Sequence, residues 1–375
     1  MNNFKIFSFF SGSGFLDLGF ELAGFPIQLV NEFSPSFIGA YRYAREQMGL
    51  RPPTYGYSNM DINEYLGSKA LELAHQIEES RKSGGLVGFL GGPPCPDFSV
   101  AGKQRGREGD NGKLSLSYIN LIIQQKPDFF LFENVKGLWR TAKHRAFYEE
   151  LKNNLEDAGY RLTDRLTNAL EFGAPQDRDR ILLFGIRKKY LKRDLELADV
   201  FPWTKHIKYS MDELKKIPWP TEEPFALDSV KPCPDAIPKE LTVEYWFEKN
   251  QVDKHPNGRD CFIPRAGAAR MATVAEGDDS KKSYKRLHRW RYSPTVAYGN
   301  NEVHLHPYKA RRLTVAEALS LQSLPKEFAL PPDMSLTDKF KTTGNGVPFL
   351  LANGIANTVF DFLSGDEVDA QNYSI

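Results

Sequence analysis

Cys95 stands in Gly91-Gly92-Pro93-Pro94-Cys95-Pro96, where three prolines fix φ and two glycines permit close approach, so its thiol is held on a stiff, non-helical loop. A free thiol has a pKa of about 8.5, and a nucleophilic role requires cations or backbone dipoles to lower it; an inert buried cysteine is the plain alternative. Glu133 follows an apolar run in Phe132-Glu133-Asn134-Val135. Low-dielectric surroundings there favour the protonated carboxyl, which can donate a proton or hydrogen bond, whereas a strand-end glutamate facing water would do neither. Gln176, Arg178 and Arg180 alternate just before an apolar run, so an extended chain puts them on one face, and ordinary surface charge is the plain alternative. Phe10-Ser11-Gly12-Ser13-Gly14 is a glycine turn, and Glu32 lies 20 residues beyond Gly12, where a ribose-binding acid belongs. The dinucleotide fingerprint fails because its third glycine position holds Asp17, and no GK[ST] exists for a P-loop. A nucleoside-containing cofactor without a tightly cradled pyrophosphate fits what remains.

These residues need elements to position them. Residues 4–10 are almost continuously apolar, as expected of a strand buried on both faces. Phe15, Leu18, Gly19 and Leu22 recur at helical spacing, and residues 27–30 read as a second strand. Further strands are expected at residues 86–90 and 128–132, with an amphipathic helix over 118–125 between them. Strands alternating with helices predict an α/β lobe, a doubly wound and mostly parallel sheet, with ligands outside the carboxyl ends of its strands. Gly12, Glu32, Cys95 and Glu133 all fall on that rim.

After Arg187 the pattern weakens. Pro202, Pro218, Pro220, Pro224, Pro232, Pro234 and Pro238 predict a smaller, irregular second lobe. Thr314 and Glu317 form a T-x-x-E capping box opening a helix over 315–324, and the apolar stretch 347–363 is expected to be a helix packing back on the first lobe. Expected domains are therefore 1–188, 189–326 and a returning segment, 327–375.

The 375 residues carry 49 Lys+Arg against 48 Asp+Glu, a net charge of +1, so bulk charge announces no nucleic-acid partner. With 41% hydrophobic and 26% charged positions, disordered and collagen-like classes are excluded. Three cysteines without CxxC spacing support neither a disulfide framework nor a structural zinc site, and no metal is expected. No apolar run approaches the roughly 18 residues of a membrane span. A soluble, cytoplasmic protein is the expectation.

The motifs FSGSGFLDLGF, GGPPCPDFS, FENVKGL, QDRDR, RRLTVAEALSLQSLP and TGNGVPFLLANGIAN stand in the order and spacing of the DNA cytosine carbon-5 methyltransferase family, which this chain resembles over about its first 187 and last 70 residues. The resemblance implies the S-adenosylmethionine-dependent methyltransferase fold. It implies that Phe10, Ser11, Gly12, Ser13 and Gly14 contact S-adenosylmethionine, that Glu32 takes the ribose hydroxyls and Asp61 the adenine amine, and that Asn345 packs the catalytic domain and cofactor site. Cys95 would be the nucleophile at cytosine carbon 6 and Glu133 the acid at ring nitrogen 3, with Arg178 and Arg180 steadying the base and the cysteine loop. Residues 99–112, glycine-rich and carrying Ser99, Lys103 and Arg105, would close over a flipped base. Two positions depart from the usual family pattern, Pro96 in place of Gln and Phe15 in place of Gly, and neither removes a reacting atom.

Residues 281–312 hold nine Lys and Arg against Glu302 alone, interleaved with Tyr284, Trp290, Tyr292 and Tyr298. In a chain with this resemblance, Lys285, Arg286, Arg289 and Arg291, with Gln176, are expected to contact double-stranded DNA. The resemblance further implies a monomer on DNA, in a bacterial restriction-modification system whose endonuclease acts on the same site without a stable complex. RNA cytosine-5 methylation and a catalytically dead DNA-binding regulator are the alternatives.

Overall fold

In the computed structural model, residues 4–94, 110–192, 195–263, 268–281, 283–296, 298 and 304–368 are described. Cys95, Pro96, Ser99, Lys103 and Arg105 therefore lie outside the described residues. The first strand, β1 (Lys5–Phe9), is buried along its whole length because it lies inside the sheet, with partners on both edges. It is followed by α1 (Phe15–Leu22), β2 (Ile27–Asn31), α2 (Pro35–Gln47), the short β3 (Tyr57–Ser58), α3 (Ala70–Lys82) and β4 (Val87–Gly91). After these come α4 (Asp110–Gln125), β5 (Phe129–Val135), α5 (Gly137–Arg140), α6 (Ala142–Asp157), β6 (Tyr160–Asn168) and β7 (Asp179–Arg187). The sheet has seven strands in the order β3-β2-β1-β4-β5-β7-β6, and β7 alone runs antiparallel to its neighbours.

The alternation of side chains along β1 divides the core. Ile6 packs on one face, with Phe20 and with Leu351, Ile355 and Val359 of the final helix; Phe7 and Phe9 pack on the other, with Leu73, Ile77, Ile119, Ile122 and Leu151. Full burial of each such side chain stabilises by about 1.5–3 kcal/mol. β5 is longer than the pattern suggested. Its pairing with β7 continues through Glu133 and Val135, so Glu133 sits inside a ladder and not beyond its end.

Among the described residues the second lobe contains only short elements, which include α7 (Leu197–Val200), α8 (Met211–Leu214), α9 (Val243–Lys249), α10 (Ala268–Met271), and β8 (Lys285–Arg286) paired with β9 (His304–Leu305). The first lobe's apolar packing runs past residue 188. Leu197, Phe201 and Trp203 join its core, and Trp203 Nε1 donates to Thr163 Oγ1 at 2.9 Å. The chain returns through α11 (Val315–Leu321), α12 (Leu336–Asn345) and α13 (Phe349–Leu363). Thr314 and Glu317 make the reciprocal capping box that opens α11, and α13 packs on α1. Phe15 is absorbed between the lobes, edge-on to Phe328 with ring centroids 5.1 Å apart. Among the described residues no single helix is long and apolar enough to cross a membrane.

Candidate active site

Strand register places the chemistry. Asn31 pairs with Phe9, Phe9 with Gly91 and Gly91 with Phe132, forming one row across the parallel strands. The residues one step further, Glu32, Phe10, Gly92 and Glu133, therefore share the carboxyl rim where ligands of such sheets bind.

On its β1–β2 side the rim carries the glycine turn. Phe10, Gly12 and Gly14 are left-handed at φ 54°, 55° and 81°. For Phe10, which has a Cβ, this costs about 1–2 kcal/mol. The strained turn is tied down by its neighbours: Gly12 N–H donates to Glu32 Oε2 at 2.9 Å, and Ser13 and Thr342 hydroxyls meet at 2.6 Å. Glu32 also accepts Ser34 N–H at Oε1, 2.8 Å away. Each carboxylate oxygen thus keeps a lone pair, the arrangement needed to accept two vicinal hydroxyls. Burial raises the Glu32 pKa, against the opposing pull of the Ser34 and Gly12 amides.

Next to Glu32, Phe33 is 69% exposed, an apolar ring left in water at the rim. Sequence reasoning passed over it, although an aromatic residue directly after a strand-end acid was the available signal. Asn59 Nδ2 binds the carbonyls of both Glu32 and Phe33 at 2.8 Å, fixing their direction. Asp61 is exposed and uses Oδ1 to cap the short turn Ile62–Leu66. Asn345 is exposed at the end of α12, close in sequence to Thr342.

Glu133 occupies the β4–β5 side of the rim. It is 8% exposed, and burial raises its pKa in spite of Arg180 and Arg178. Arg180 Nε lies 2.6 Å from Glu133 Oε1 because antiparallel pairing of Val135 with Arg180 puts the two side chains on one face as diagonal neighbours. Gly92 is where the cysteine loop leaves β4, and a Cβ there would stand 2.8 Å from Glu133 Oε2. Only glycine lets that loop start against the carboxyl group.

Arg178 is placed differently from Arg180. Its Nη1 donates to Val296 O and its Nη2 to Gly344 O, both at 2.7 Å, so it clamps second-lobe and C-terminal backbone beside the site. Burial and the Arg180 charge push its pKa down. Gln176 requires correction as a DNA contact. It is fully buried, donating to Leu321 O at 3.0 Å and accepting Val296 N–H at 3.0 Å.

The basic segment requires the same correction at Arg286 and Arg289. Arg286 is 0% exposed and donates to the carbonyls of Met271, Val274, His306 and Lys309. Arg289 is 2% exposed and grips Glu276 with Nε at 2.7 Å and Nη2 at 2.9 Å, and Ser229 with its other donors. A proline-rich chain lacks ladders to satisfy its carbonyls, and these guanidinium groups supply the missing donors. Lys285 and Arg291 remain partly exposed, and neither forms an ion pair with a described residue. Cys233 and Cys261 are free thiols. Among the described residues no group of three or more His, Cys, Asp or Glu could hold a metal ion.

Residues 4–361 match the C-5 cytosine-specific DNA methylase family. The chain is 56% identical over 359 residues to the Type II methyltransferase M.NmeDI of Neisseria meningitidis serogroup C, covering 96% of this chain and 84% of that one. It is 30% identical over 393 residues to the Type II methyltransferase M.FnuDI of Fusobacterium nucleatum, covering 97% and 96%. In fold it is similar to the Entamoeba histolytica methyltransferase EhMeth, with a TM-score of 0.59 at 14% identity, covering 97% and 99%. A family match over nearly the whole chain, on a sheet whose rim carries this acid and turn, leads to one conclusion: the chain belongs to the C-5 cytosine-specific DNA methylase family and is a DNA cytosine-5 methyltransferase of restriction-modification type.

Proposed function

We propose that the chain methylates carbon 5 of a cytosine swung out of a short, specific double-stranded DNA sequence, using S-adenosylmethionine and a transient bond from Cys95. The observation that carries this reading is the single rim on which the Phe10–Gly14 turn and Glu32 lie beside the Gly92–Glu133–Arg180 group. The cofactor fits the residues present: Glu32 has acceptors for a ribose diol, Phe33 offers an apolar face to an adenine, and Asp61 keeps Oδ2 for its amine. Asn345, three residues beyond the Thr342 that bonds Ser13, would pack against the cofactor site. When bound, S-adenosylmethionine supplies an electrophilic methyl group on sulfur.

The chain's own residues do the rest. Cytosine carbon 5 is a weak nucleophile, and a bond from the Cys95 thiolate to carbon 6 makes it an enamine carbon. Glu133, whose pKa burial raises, would deliver a proton to ring nitrogen 3 as that bond forms, and Arg180 fixes the carboxyl's orientation. Arg178 steadies the floor of the site through Val296 and Gly344. After methylation the carbon-5 proton passes to water, the carbon–sulfur bond breaks to release Cys95 as its thiolate, and ring nitrogen 3 returns its proton to Glu133. Carbon 6 is inaccessible inside a stacked duplex, so the base must leave the stack, at a cost of a few kcal/mol. Ser99, Lys103 and Arg105 would close over it, while Lys285 and Arg291 would contact phosphates. The protein would act as a monomer on DNA in the bacterial cytoplasm, beside an endonuclease that shares its site.

Bisulfite sequencing of DNA from cells expressing the chain tests this reading. A methylated cytosine in one sequence context supports it, and unmodified DNA from an expressed, folded enzyme overturns it.

A further inference from the structure

The turn at residues 11–14 is held from the rim by Asn31 and Glu32, and from below by one side chain on α2. Arg45 Nη2 donates to Gly14 O at 2.7 Å, while its Nε donates to Glu21 Oε2 of α1 at 2.7 Å. The guanidinium carbon lies 4.2 Å from the Tyr41 ring centroid, and a Cβ on Gly14 would stand 2.4 Å from that ring. Arg45 and Tyr41 thus form a floor directly under Gly14, which starts α1 without any side-chain cap. Arg45 is 1% exposed, and a buried cation requires a paired charge. Glu21 already provides it. The bond to Gly14 is not needed for neutrality, and it requires a rigid fork that points in two directions, which arginine has and lysine lacks.

We infer that Arg45 is a positioning residue for the cofactor, fixing the height and tilt of the 11–14 turn; the inference rests on the reading of that turn as the S-adenosylmethionine site. The hydrogen bonds of Arg45 end on Gly14 and Glu21, and none reaches Glu133, so its influence falls on cofactor binding and not on the chemical step.

The test compares wild type, Glu21→Gln, and the double variant Glu21→Gln with Arg45→Met, by calorimetry with S-adenosylhomocysteine and by methylation kinetics at varied S-adenosylmethionine. Glu21→Gln keeps the bond to Gly14, and its cofactor affinity is expected to match wild type even with a lowered Tm. The double variant removes the cation together with its partner. Its Kd and KM for cofactor are expected to rise about tenfold, with kcat at saturating cofactor within about twofold of wild type. Unchanged cofactor affinity in the folded double variant would overturn the inference, as would a fall in kcat at constant KM. If the double variant does not fold, Arg45→Lys gives the same readout, with weakened cofactor binding expected and wild-type binding overturning the inference. Wild type that binds no S-adenosylhomocysteine would instead remove the cofactor reading on which the inference depends.

Discussion

Glu133 lies against one arginine and within the field of a second, yet burial still raises its pKa, so the net effect favours the neutral acid. The donor form is lost as pH rises through that raised pKa. We expect kcat to fall on the alkaline side for this reason, and Glu133→Gln to abolish that limb while lowering kcat by about 10²- to 10⁴-fold. Single-turnover methylation at neutral and alkaline pH decides it; an identical alkaline limb in the variant would assign the titration to another group. At Cys95 the expectation is chemical. Cys95→Ser should reduce methyl transfer to background in a folded protein, because an unactivated hydroxyl is far less acidic than a thiol. Duplex DNA with 5-fluorocytosine at the target should trap a covalent adduct at Cys95 in the wild type. Mass spectrometry placing the adduct elsewhere would sink the assignment.

Asp17 tests how α1 is built into the fold. It is 1% exposed, accepts Ser8 Oγ at 2.9 Å, and burial raises its pKa to about 6 from 3.8. The unfolded chain loses its proton first, so this group lowers stability as pH rises from about 4 to about 6, by up to about 3 kcal/mol in all. Asp17→Asn is expected to gain stability relative to wild type above that window and not below it, as read by urea unfolding at both pH values. Equal differences at the two would refute this. The strands of the first lobe were legible in the sequence because apolar runs bounded by glycine turns state their ends locally, and the Thr314–Glu317 capping box states its own. The continuation of β5 through Glu133 was not legible, since it depends on an antiparallel partner nearly fifty residues away. At the candidate site, residue types pointed to Glu32, Glu133 and Arg180, which the sheet brings to one rim. They could not distinguish Arg178 from Arg180, because which carbonyls an arginine reaches is a property of tertiary packing.

Across the whole molecule, the same limit applies to the charge in residues 281–312. Adjacent cations read as a phosphate grip, but of the four expected contacts Arg286 and Arg289 are buried and hold the second lobe together, while Lys285 and Arg291 are left partly exposed. Two kinds of variant should therefore behave differently. Lys285→Ala with Arg291→Ala should weaken DNA binding for all sequences alike and flatten its salt dependence by about 0.9 for each phosphate no longer neutralised, leaving Tm near wild type. Arg286→Met should lower Tm, because four carbonyls, two of them buried, lose their donor. Binding across a salt series, beside thermal melts, separates the two; a stable Arg286→Met protein with a flattened salt slope would restore that arginine to the DNA surface.

The Arg286 hydrogen bonds also bear on how the second lobe can be exchanged between such enzymes. Its four acceptors come from Met271, Val274, His306 and Lys309, on both sides of the arginine in the chain. A chimera joined between residues 274 and 306 inherits the arginine with half of its acceptors, whereas one that carries 271–309 whole takes the complete set. The second lobe is thus exchangeable as a block across these residues, and crossover points inside the block are expected to cost stability.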